Sequence, residues 1–196
     1  MILKVKILIF LTLIIYNFGV YRSSFYEINI SEEAAERAAK HIERIKRGEK
    51  RLFKFFLKKE YFTEEEINSY IYYRMKERTP SEIKEVRIFF GTNGVLAGFS
   101  KIDLTDSTIK NLPEFFKGEF PVAFEGKILS EEGKIKLKIN KLMISNVLVS
   151  PLLVNQLTDF FSKGRRDNYK SINEWFDLPY GIKRVLIKDK KLIVFY

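Results

Sequence analysis

His41, the only histidine of the chain, is the first residue to consider for acid–base chemistry. It lies beside the apolar stripe of a segment rich in Lys and Glu, and no nearby motif supplies the partner that a general base needs. One histidine is too few for a multi-histidine metal site, and the absence of cysteine excludes thiolate ligands, a cysteine nucleophile and disulfides. We therefore predict no catalytic residue, no metal and no cofactor.

The carboxylates that are closest in sequence have structural explanations. The three glutamates at 64–66 suit the positive start of a helix, and Asp103 with Asp106 marks the end of a strand. The chain has no G-x-S-x-G, no supported S-x-x-K and no Gly-rich phosphate loop. We expect a protein without enzymatic activity. A hydrolase acting through two carboxylates is a further hypothesis, and it requires a pocket with two close Asp or Glu side chains.

The N-terminal segment has the order of residues found in a signal sequence. Lys4 and Lys6 precede an apolar run from Ile7 to Val20, and this run is shorter than the roughly 20 residues that span a bilayer. Small residues follow it, but no A-x-A-like cleavage site does. We predict that residues 1–24 are a signal peptide or an uncleaved membrane anchor. The remaining chain is then exported, to the periplasm or the outer face of the cytoplasmic membrane. A buried N-terminal helix or strand is the alternative.

The net charge of the chain is +10. A basic surface attracts anionic lipid headgroups, nucleic acid or an acidic polymer, whatever the fold. Because the N-terminal segment predicts export and no nucleic-acid recognition module is recognisable, we predict a lipid or membrane surface as the partner and no nucleic acid. A protein partner stays unknown. The cluster from Lys163 to Arg166 is interpreted as a solvated helix end that could also meet phosphate headgroups. The alternative is a charged surface that only maintains solubility.

Two helices are predicted in the first part of the body. One begins after the capping residue Ser31 and ends at Gly48, with apolar residues at helical spacing between them. The next has a capping box formed by Thr63 and Glu66. Between them lies Lys50 to Lys59, in which Phe and Leu are enclosed by Lys and Arg. This segment is interpreted as a helix at a membrane interface or as a core helix whose lysine side chains extend to the solvent.

Beyond these helices the apolar period becomes that of β-strands, which predicts three hairpins. They comprise Glu85 to Phe90 with Val95 to Leu104, Pro121 to Leu129 with Lys134 to Val149, and Ile182 to Lys188 with Lys191 to Tyr196. The apolar parity of the longest arm changes after Ile139, so we expect a bulge near Asn140 and Lys141. A further helix is predicted to begin at Ser150 and Pro151. We predict an α+β fold in which a long curved antiparallel sheet of about six strands packs on or wraps around helices.

The strands have apolar residues on both faces in several places, which a sheet covered on one side alone would not need. We therefore predict a lipid-binding groove between the sheet and the helix that begins at Ser150. Its predicted lining consists of Val86, Ile88, Phe90, Phe124, Ile128, Leu153, Leu157 and Phe160. The alternative is a second helix layer that covers this face.

Several local motifs also occur in an order along the chain that resembles a known group of proteins. They are Phe62-Thr63-Glu64-Glu65-Glu66-Ile67-Asn68-Ser69-Tyr70, paired long hairpins, Ser150-Pro151-Leu152-Leu153, and Leu178-Pro179-Tyr180-Gly181-Ile182 before the last hairpin. This order resembles that of small bacterial envelope proteins similar to the tubular lipid-binding superfamily, over about residues 61–196. The resemblance implies a curved sheet wrapped about a helix, an apolar lumen for acyl chains and no catalytic residues. The chain lacks the long linker helices of larger members and the lipoprotein cysteine.

These patterns predict three parts of the chain. Residues 1–24 are the signal or anchor segment, residues 25–60 a helical N-terminal region, and residues 61–196 an α+β lipid-binding-like domain. The leading functional hypothesis is a non-enzymatic envelope protein that binds or shuttles a lipid or acts at the membrane surface. The alternative is a structural or partner-binding envelope module with a filled core and no ligand.

Overall fold

The structure of the chain is a computed structural model that describes residues 28–49, 57–77, 83–105, 117–145, 147–150, 153 and 174–196. The helices in these ranges are α1 (Glu32–Glu49) and α2 (Glu64–Lys76). The strands are β1 (Lys59–Thr63), β2 (Ile83–Phe90), β3 (Val95–Asp103), β4 (Glu119–Glu131), β5 (Lys134–Ile144), β6 (Val147–Val149), β7 (Phe176–Asp177), β8 (Arg184–Lys188) and β9 (Lys191–Phe195). The predicted N-terminal segment, residues 1–24, lies outside the described residues, as does most of the helix predicted to begin at Ser150.

The strands form two antiparallel sheets. The larger sheet has the order β2-β3-β4-β5-β6, with β7 paired to β5, and the smaller sheet has the order β1-β9-β8. The sheets meet where the β4–β5 hairpin reaches β8. There the N–H of Val185 donates to Ser130 Oγ at 2.9 Å, and the N–H of Gly133 donates to the Lys183 carbonyl at 2.9 Å. The fold is α+β, with a strongly curled antiparallel sheet that forms a half-barrel, so the predicted fold class is confirmed.

Helix α1 begins where the sequence predicts. Ser31 Oγ accepts a hydrogen bond from the Ala34 N–H at 3.2 Å, which is the expected N-terminal cap. Two glutamates follow in the first turn, where the helix dipole favours negative charge. Ala38 and Ile45 are buried, and they turn one side of the helix toward the smaller sheet.

The predicted capping box at the start of α2 is confirmed. Thr63 Oγ1 accepts from the Glu66 N–H at 3.1 Å, and Glu66 Oε2 accepts from the Thr63 N–H at 2.9 Å. Phe62 precedes the cap, is buried, and lies in one apolar group with Ile67. This is the contact of a hydrophobic staple, which fixes the direction in which the chain enters the helix.

The interpretation of Lys50 to Lys59 as a helix is wrong at its described end. Lys59 is the first residue of β1, which pairs with β9 along its whole length. Just before it, the N–H of Lys58 donates to the Tyr196 carbonyl at 2.8 Å, and the reverse bond measures 3.0 Å. The strand therefore depends on the opposite end of the chain, and local propensity yields to that tertiary pairing. Residues 50–56 lie outside the described ranges.

The bulge predicted in β5 is confirmed. Asn140 is an extra residue opposite the step from Glu125 to Gly126 in β4. Because of this insertion, Ile139 and Leu142 lie on the same face of the sheet although their sequence parity differs. The bulge therefore keeps the apolar residues of a long strand on one face.

The predicted second arm of this hairpin, Lys134 to Val149, is two strands and not one. β5 ends at Ile144, Ser145 adopts a left-handed φ of 49°, and β6 returns antiparallel to β5. The Ser145 N–H donates to the Pro121 carbonyl at 2.9 Å, which holds the reversal. No glycine marks this turn, so the apolar alternation alone predicted a continuous strand.

Two groups of packed apolar side chains join the elements of the fold. The first core group joins α1 to the smaller sheet through Ala38, Ile45, Phe62, Val185 and Val194. The second core group joins the larger sheet to β8 through Phe90, Leu96 and Ile187. Ile67 of α2 and Leu192 of β9 pack against both groups. These two side chains therefore connect the halves of the core.

Side chains of α2 occupy the edge of β2 that faces away from β3. Asn68 is fully buried; its Nδ2 donates to the Ile88 carbonyl at 2.7 Å, and its Oδ1 accepts from the Ile88 N–H at 2.7 Å. Glu64 Oε1 accepts from the Phe90 N–H at 2.5 Å. These bonds take the place of a neighbouring strand, so the edge at Ile88 and Phe90 is protected from pairing with another chain.

Candidate functional site

The sheet side of the predicted groove is assembled as one apolar group. The second core group includes four of the predicted groove residues: Ile88, Phe90, Phe124 and Ile128. Ile187 of β8 and Ile67 of α2 pack in the same group. Side chains from β8 and α2 therefore pack against this part of the sheet.

Two further predicted groove residues, Val86 and Leu153, are described and do not belong to this group. Val86 is half-buried on β2, opposite Ser100 of β3. Leu153 is 44% exposed. Leu157 and Phe160 lie outside the described residues.

Gly98 of β3 makes room for the aromatic ring of Phe124. The two residues are directly opposite each other in β3 and β4. A Cβ atom on Gly98 would lie 2.2 Å from Phe124 Cε1, which is well inside van der Waals contact. The missing side chain thus allows the phenyl ring to lie across the strand, a use of glycine that is common where a ring covers the backbone.

We expect Gly98→Ala to destabilise the protein by about 2 kcal/mol, because Phe124 is packed in the second core group and must move to accept the methyl group. Urea unfolding measures the change. Ser100→Ala, two residues along the same face of β3, is the matched control, with an expected change below about 0.5 kcal/mol. An unchanged free energy for Gly98→Ala would mean that Phe124 has free space over the sheet, as an open groove would provide.

The smaller sheet has a face of unusual composition. Phe62, Val185 and Val194 belong to the core, so the alternate positions of the three strands point away from it. By register these positions form three rows: Lys59, Phe195 and Arg184; Tyr61, Ile193 and Leu186; Thr63, Lys191 and Lys188. These residues are named the cationic face. They include four cations and no carboxylate.

The middle row of the cationic face is apolar and accessible. Tyr61 is 48% exposed, and Ile193 and Leu186 are half-buried. Leu57, which precedes β1 at the same parity as Tyr61, is 56% exposed. Apolar side chains thus reach the surface between two rows that contain cations.

The cations of the two outer rows are held differently. Lys59 Nζ and Arg184 Cζ lie 5.3 and 4.8 Å from the centroid of the Phe195 ring, so the ring fixes both positive charges at one end of the face. Lys188 and Lys191 are exposed and directly opposite each other at the other end. Within the described part of the chain, no carboxylate forms an ion pair with any of these four cations. The positive charge of the face is therefore uncompensated.

Sequence reasoning missed the cationic face because it depends on the pairing of β1 with β9. Residues that are neighbours across the rows, such as Tyr61 and Ile193, are far apart in the chain. The available signal was the spacing of Arg184 and Lys188, which have the same parity in the strand, with Leu186 between them. That spacing predicts a strand with a cation at each end of one face, but it does not show which other strand extends the face.

His41 lies in a polar cluster between α1 and β1. Its Nδ1 contacts Glu60 Oε2, and its Nε2 is 4.0 Å from Glu66 Oε1. Arg44 donates from Nε to Glu60 Oε1 at 2.7 Å and from Nη2 to Glu60 Oε2 at 2.9 Å. The Tyr196 hydroxyl donates to Glu60 Oε1 at 3.4 Å. Glu60 thus joins α1, β1 and the last residue of the chain.

The bonds from Arg44 and then His41 lower the pKa of Glu60 from 4.5 to about 2, although burial acts in the opposite direction. The side chain of Glu60 is only 12% exposed. Both of its carboxylate oxygens are occupied by bonds within the protein, which is the arrangement of a structural ion-pair network. In the described ranges, no group of His, Asp and Glu is arranged to hold a metal ion.

Among the described residues, no helix is both long enough and apolar enough to cross a membrane. No protein-family model matches the chain, and neither does any curated protein or any solved structure. The molecule is an α+β half-barrel with a cationic face on its smaller sheet.

Proposed function

We propose that this chain is a non-enzymatic envelope protein that acts at a membrane surface and docks on anionic lipid headgroups through its cationic face. The observation that supports this proposal is the accessible apolar row of Tyr61, Ile193 and Leu186 between two rows whose cations have no carboxylate partner among the described residues. The predicted signal or anchor segment, residues 1–24, would bring the face close to a bilayer.

The composition of the cationic face suits the boundary between headgroups and acyl chains. Apolar side chains enter that boundary while Lys and Arg reach the phosphates, as in interfacial helices. A tyrosine such as Tyr61 suits this depth, because its ring is apolar and its hydroxyl can remain in water. Each Lys or Arg close to an anionic membrane contributes about 1 kcal/mol of attraction. Four such cations therefore favour an anionic bilayer strongly over a zwitterionic one.

Carriage of a lipid inside the fold has less support than docking at the surface. Phe90 is 3% exposed and packs among side chains from β8 and α2, where the groove prediction places an acyl chain. The same packing favours the alternative of a partner-binding module with a filled core. The resemblance to tubular lipid-binding proteins stays a prediction.

A depth-sensitive label at Tyr61 tests the proposal directly. The chain has no cysteine, so Tyr61→Cys gives one labelling position in the full-length protein. We expect lipid-borne quenchers to quench the fluorophore strongly in vesicles that contain phosphatidylglycerol and weakly in vesicles of phosphatidylcholine alone. Lys188→Gln combined with Lys191→Gln should weaken this contact about 30-fold, since two cations are lost from the face.

Two controls separate docking from proximity to the bilayer. Tyr72→Cys places the same label on α2, where Tyr72 is 38% exposed and outside the cationic face. Lys58→Gln with Lys183→Gln removes the same charge from exposed positions that are also outside the face. Equal quenching at both labels, or equal effects of both lysine pairs, would contradict docking through this face and favour the partner-binding module.

A further inference from the structure

A second group of cations lies on the face of the larger sheet opposite the second core group, which is named the outward face. Lys127 of β4 is directly opposite Lys138 of β5, and Lys136 is two residues from Lys138 on the same strand. Ile128 and Leu137, at the alternate positions, pack in the second core group, so these lysines lie on the opposite face. Lys127, Lys136 and Lys138 are named the lysine triad.

The lysine triad is an exception on a sheet that otherwise balances its charges. The other cations of the outward face are paired with, or directly opposite, a carboxylate: Lys141 with Glu125, Lys101 with Glu119, Arg87 with Glu85, and Lys134 with Glu131. In the described residues no carboxylate is paired with a member of the triad. Positive charge is therefore concentrated at one place on the sheet.

The arrangement of the triad opposes the stability of the free protein. Like charges that are directly opposite in an antiparallel pair destabilise it, because their Cβ atoms are only about 5 Å apart. An anion with two or more negative charges between Lys127 and Lys138 would replace this repulsion with attraction. Each ammonium group can donate up to three hydrogen bonds, so two lysines can hold several phosphate oxygens.

The side chain of Lys127 lies beside the turn between β2 and β3. Gly94 in this turn has a φ of 79°, and a Cβ atom on it would lie 3.5 Å from Lys127 Cε. The Ile128 N–H donates to the Gly94 carbonyl at 3.0 Å, which attaches the turn to β4. The lysine stem therefore lies along the backbone of the turn and loses less freedom when its ammonium group binds an anion.

We propose that the lysine triad is a binding site for a soluble anion that contains phosphate groups, such as a diphosphate. The site is separate from the cationic face and goes beyond membrane docking. The apolar side chains within the cross-strand pairs of the triad are Val95, opposite Lys127, and Leu129, opposite Lys136, and both are half-buried. The triad thus has no exposed apolar side chain comparable to Tyr61 to enter a bilayer, and its attraction to a ligand is electrostatic.

Titration calorimetry with inorganic pyrophosphate, on the full chain in a neutral detergent, tests the site. We expect binding that weakens about tenfold when Lys127→Gln and Lys138→Gln are combined, since two exposed charge contacts are lost. Lys188→Gln with Lys191→Gln removes the same charge from the cationic face and should leave the pyrophosphate affinity unchanged. Circular dichroism and thermal melting check that both double variants are folded.

Other results would overturn the proposal. It is wrong if the wild-type protein does not bind pyrophosphate, or if the two double variants lose affinity equally, because the effect is then one of net charge. It is also wrong if a label at Leu129→Cys is quenched by lipid in anionic vesicles, since the triad then faces a membrane. The label at Tyr61 tests docking of the cationic face separately, so either proposal can fail while the other holds.

Discussion

Glu60→Gln should lower the free energy of unfolding by about 3 kcal/mol at pH 7. The carboxylate is 12% exposed and binds Arg44 and His41 on α1 and the hydroxyl of Tyr196. Glutamine keeps the volume but removes the charge, which leaves two cationic or polar groups beside a neutral amide. For a chain of this size the melting temperature should fall by roughly 6 to 12 °C. Urea unfolding and thermal melting measure the two quantities.

The pH dependence of stability gives a sharper form of this prediction. The pKa of Glu60 is about 2 in the folded protein against an ordinary value of 4.5. A carboxylate with a lowered folded pKa stabilises the protein above its unfolded pKa, and this contribution is lost as the pH falls toward the folded value. The difference corresponds to about 3 kcal/mol. We therefore expect the wild-type protein to lose this advantage over Glu60→Gln between about pH 5 and about pH 2.

Glu43→Gln is the matched control for Glu60→Gln. Glu43 also lies beside a cation, Lys46, but its side chain is 52% exposed and the pair lies within one helix. Solvent screens such a pair, so its removal should change stability far less than the removal of Glu60. Equal effects of the two substitutions, or equal pH profiles for Glu60→Gln and the wild-type protein, would show that the network does not hold α1 in place.

The elements that the sequence predicted well depend on local interactions. The cap at Ser31, the box of Thr63 and Glu66, and the bulge at Asn140 each involve residues within a few positions or a change of parity within one strand. The hairpins were predictable for the same reason, because their paired strands are close in the sequence. The half-barrel followed from this list of elements, because antiparallel hairpins with apolar faces must curl around or pack on the helices.

The elements that the sequence did not predict depend on distant pairings. Lys59 begins a strand only because β9 lies beside it, and Ser145 reverses the chain without a glycine. The candidate sites also depend on contacts between residues that are distant in the sequence. The sequence predicted that Phe90 and Phe124 share a face, and it missed that Ile187 from β8 packs there. It also gave no sign that the cations of β1 and β8 lie on one surface.

The position of Asn68 inside a helix indicates a tertiary hydrogen bond, but the sequence does not identify the partner. An asparagine inside a helix is unfavourable unless its side chain has a specific partner, so its position indicated a tertiary bond. The partner is the backbone of Ile88 in β2, which Asn68 both donates to and accepts from at 2.7 Å. Its Nδ2 also donates to the Glu64 carbonyl at 2.8 Å. One side chain therefore satisfies three backbone groups.

Asn68→Ala should destabilise the protein by about 3 kcal/mol, because it leaves the buried N–H and carbonyl of Ile88 without partners and opens a cavity. The edge of β2 also becomes available for pairing with another chain, so we expect concentration-dependent aggregation. Urea unfolding measures the first effect and light scattering the second. Amide exchange at Ile88 should accelerate more than exchange at Phe90, whose N–H still donates to Glu64.

Ser69→Ala provides a graded comparison for Asn68→Ala. Ser69 is also fully buried, but its Oγ accepts a single bond, from the Ser31 N–H at 3.1 Å, and it does not reach β2. Its loss should cost about 1 kcal/mol and leave the exchange of the Ile88 amide unchanged. If Asn68→Ala left that amide protected as well, the edge of β2 would not depend on the helix. Another part of the chain would then have to protect this edge, since an exposed strand edge is a template for pairing with another chain.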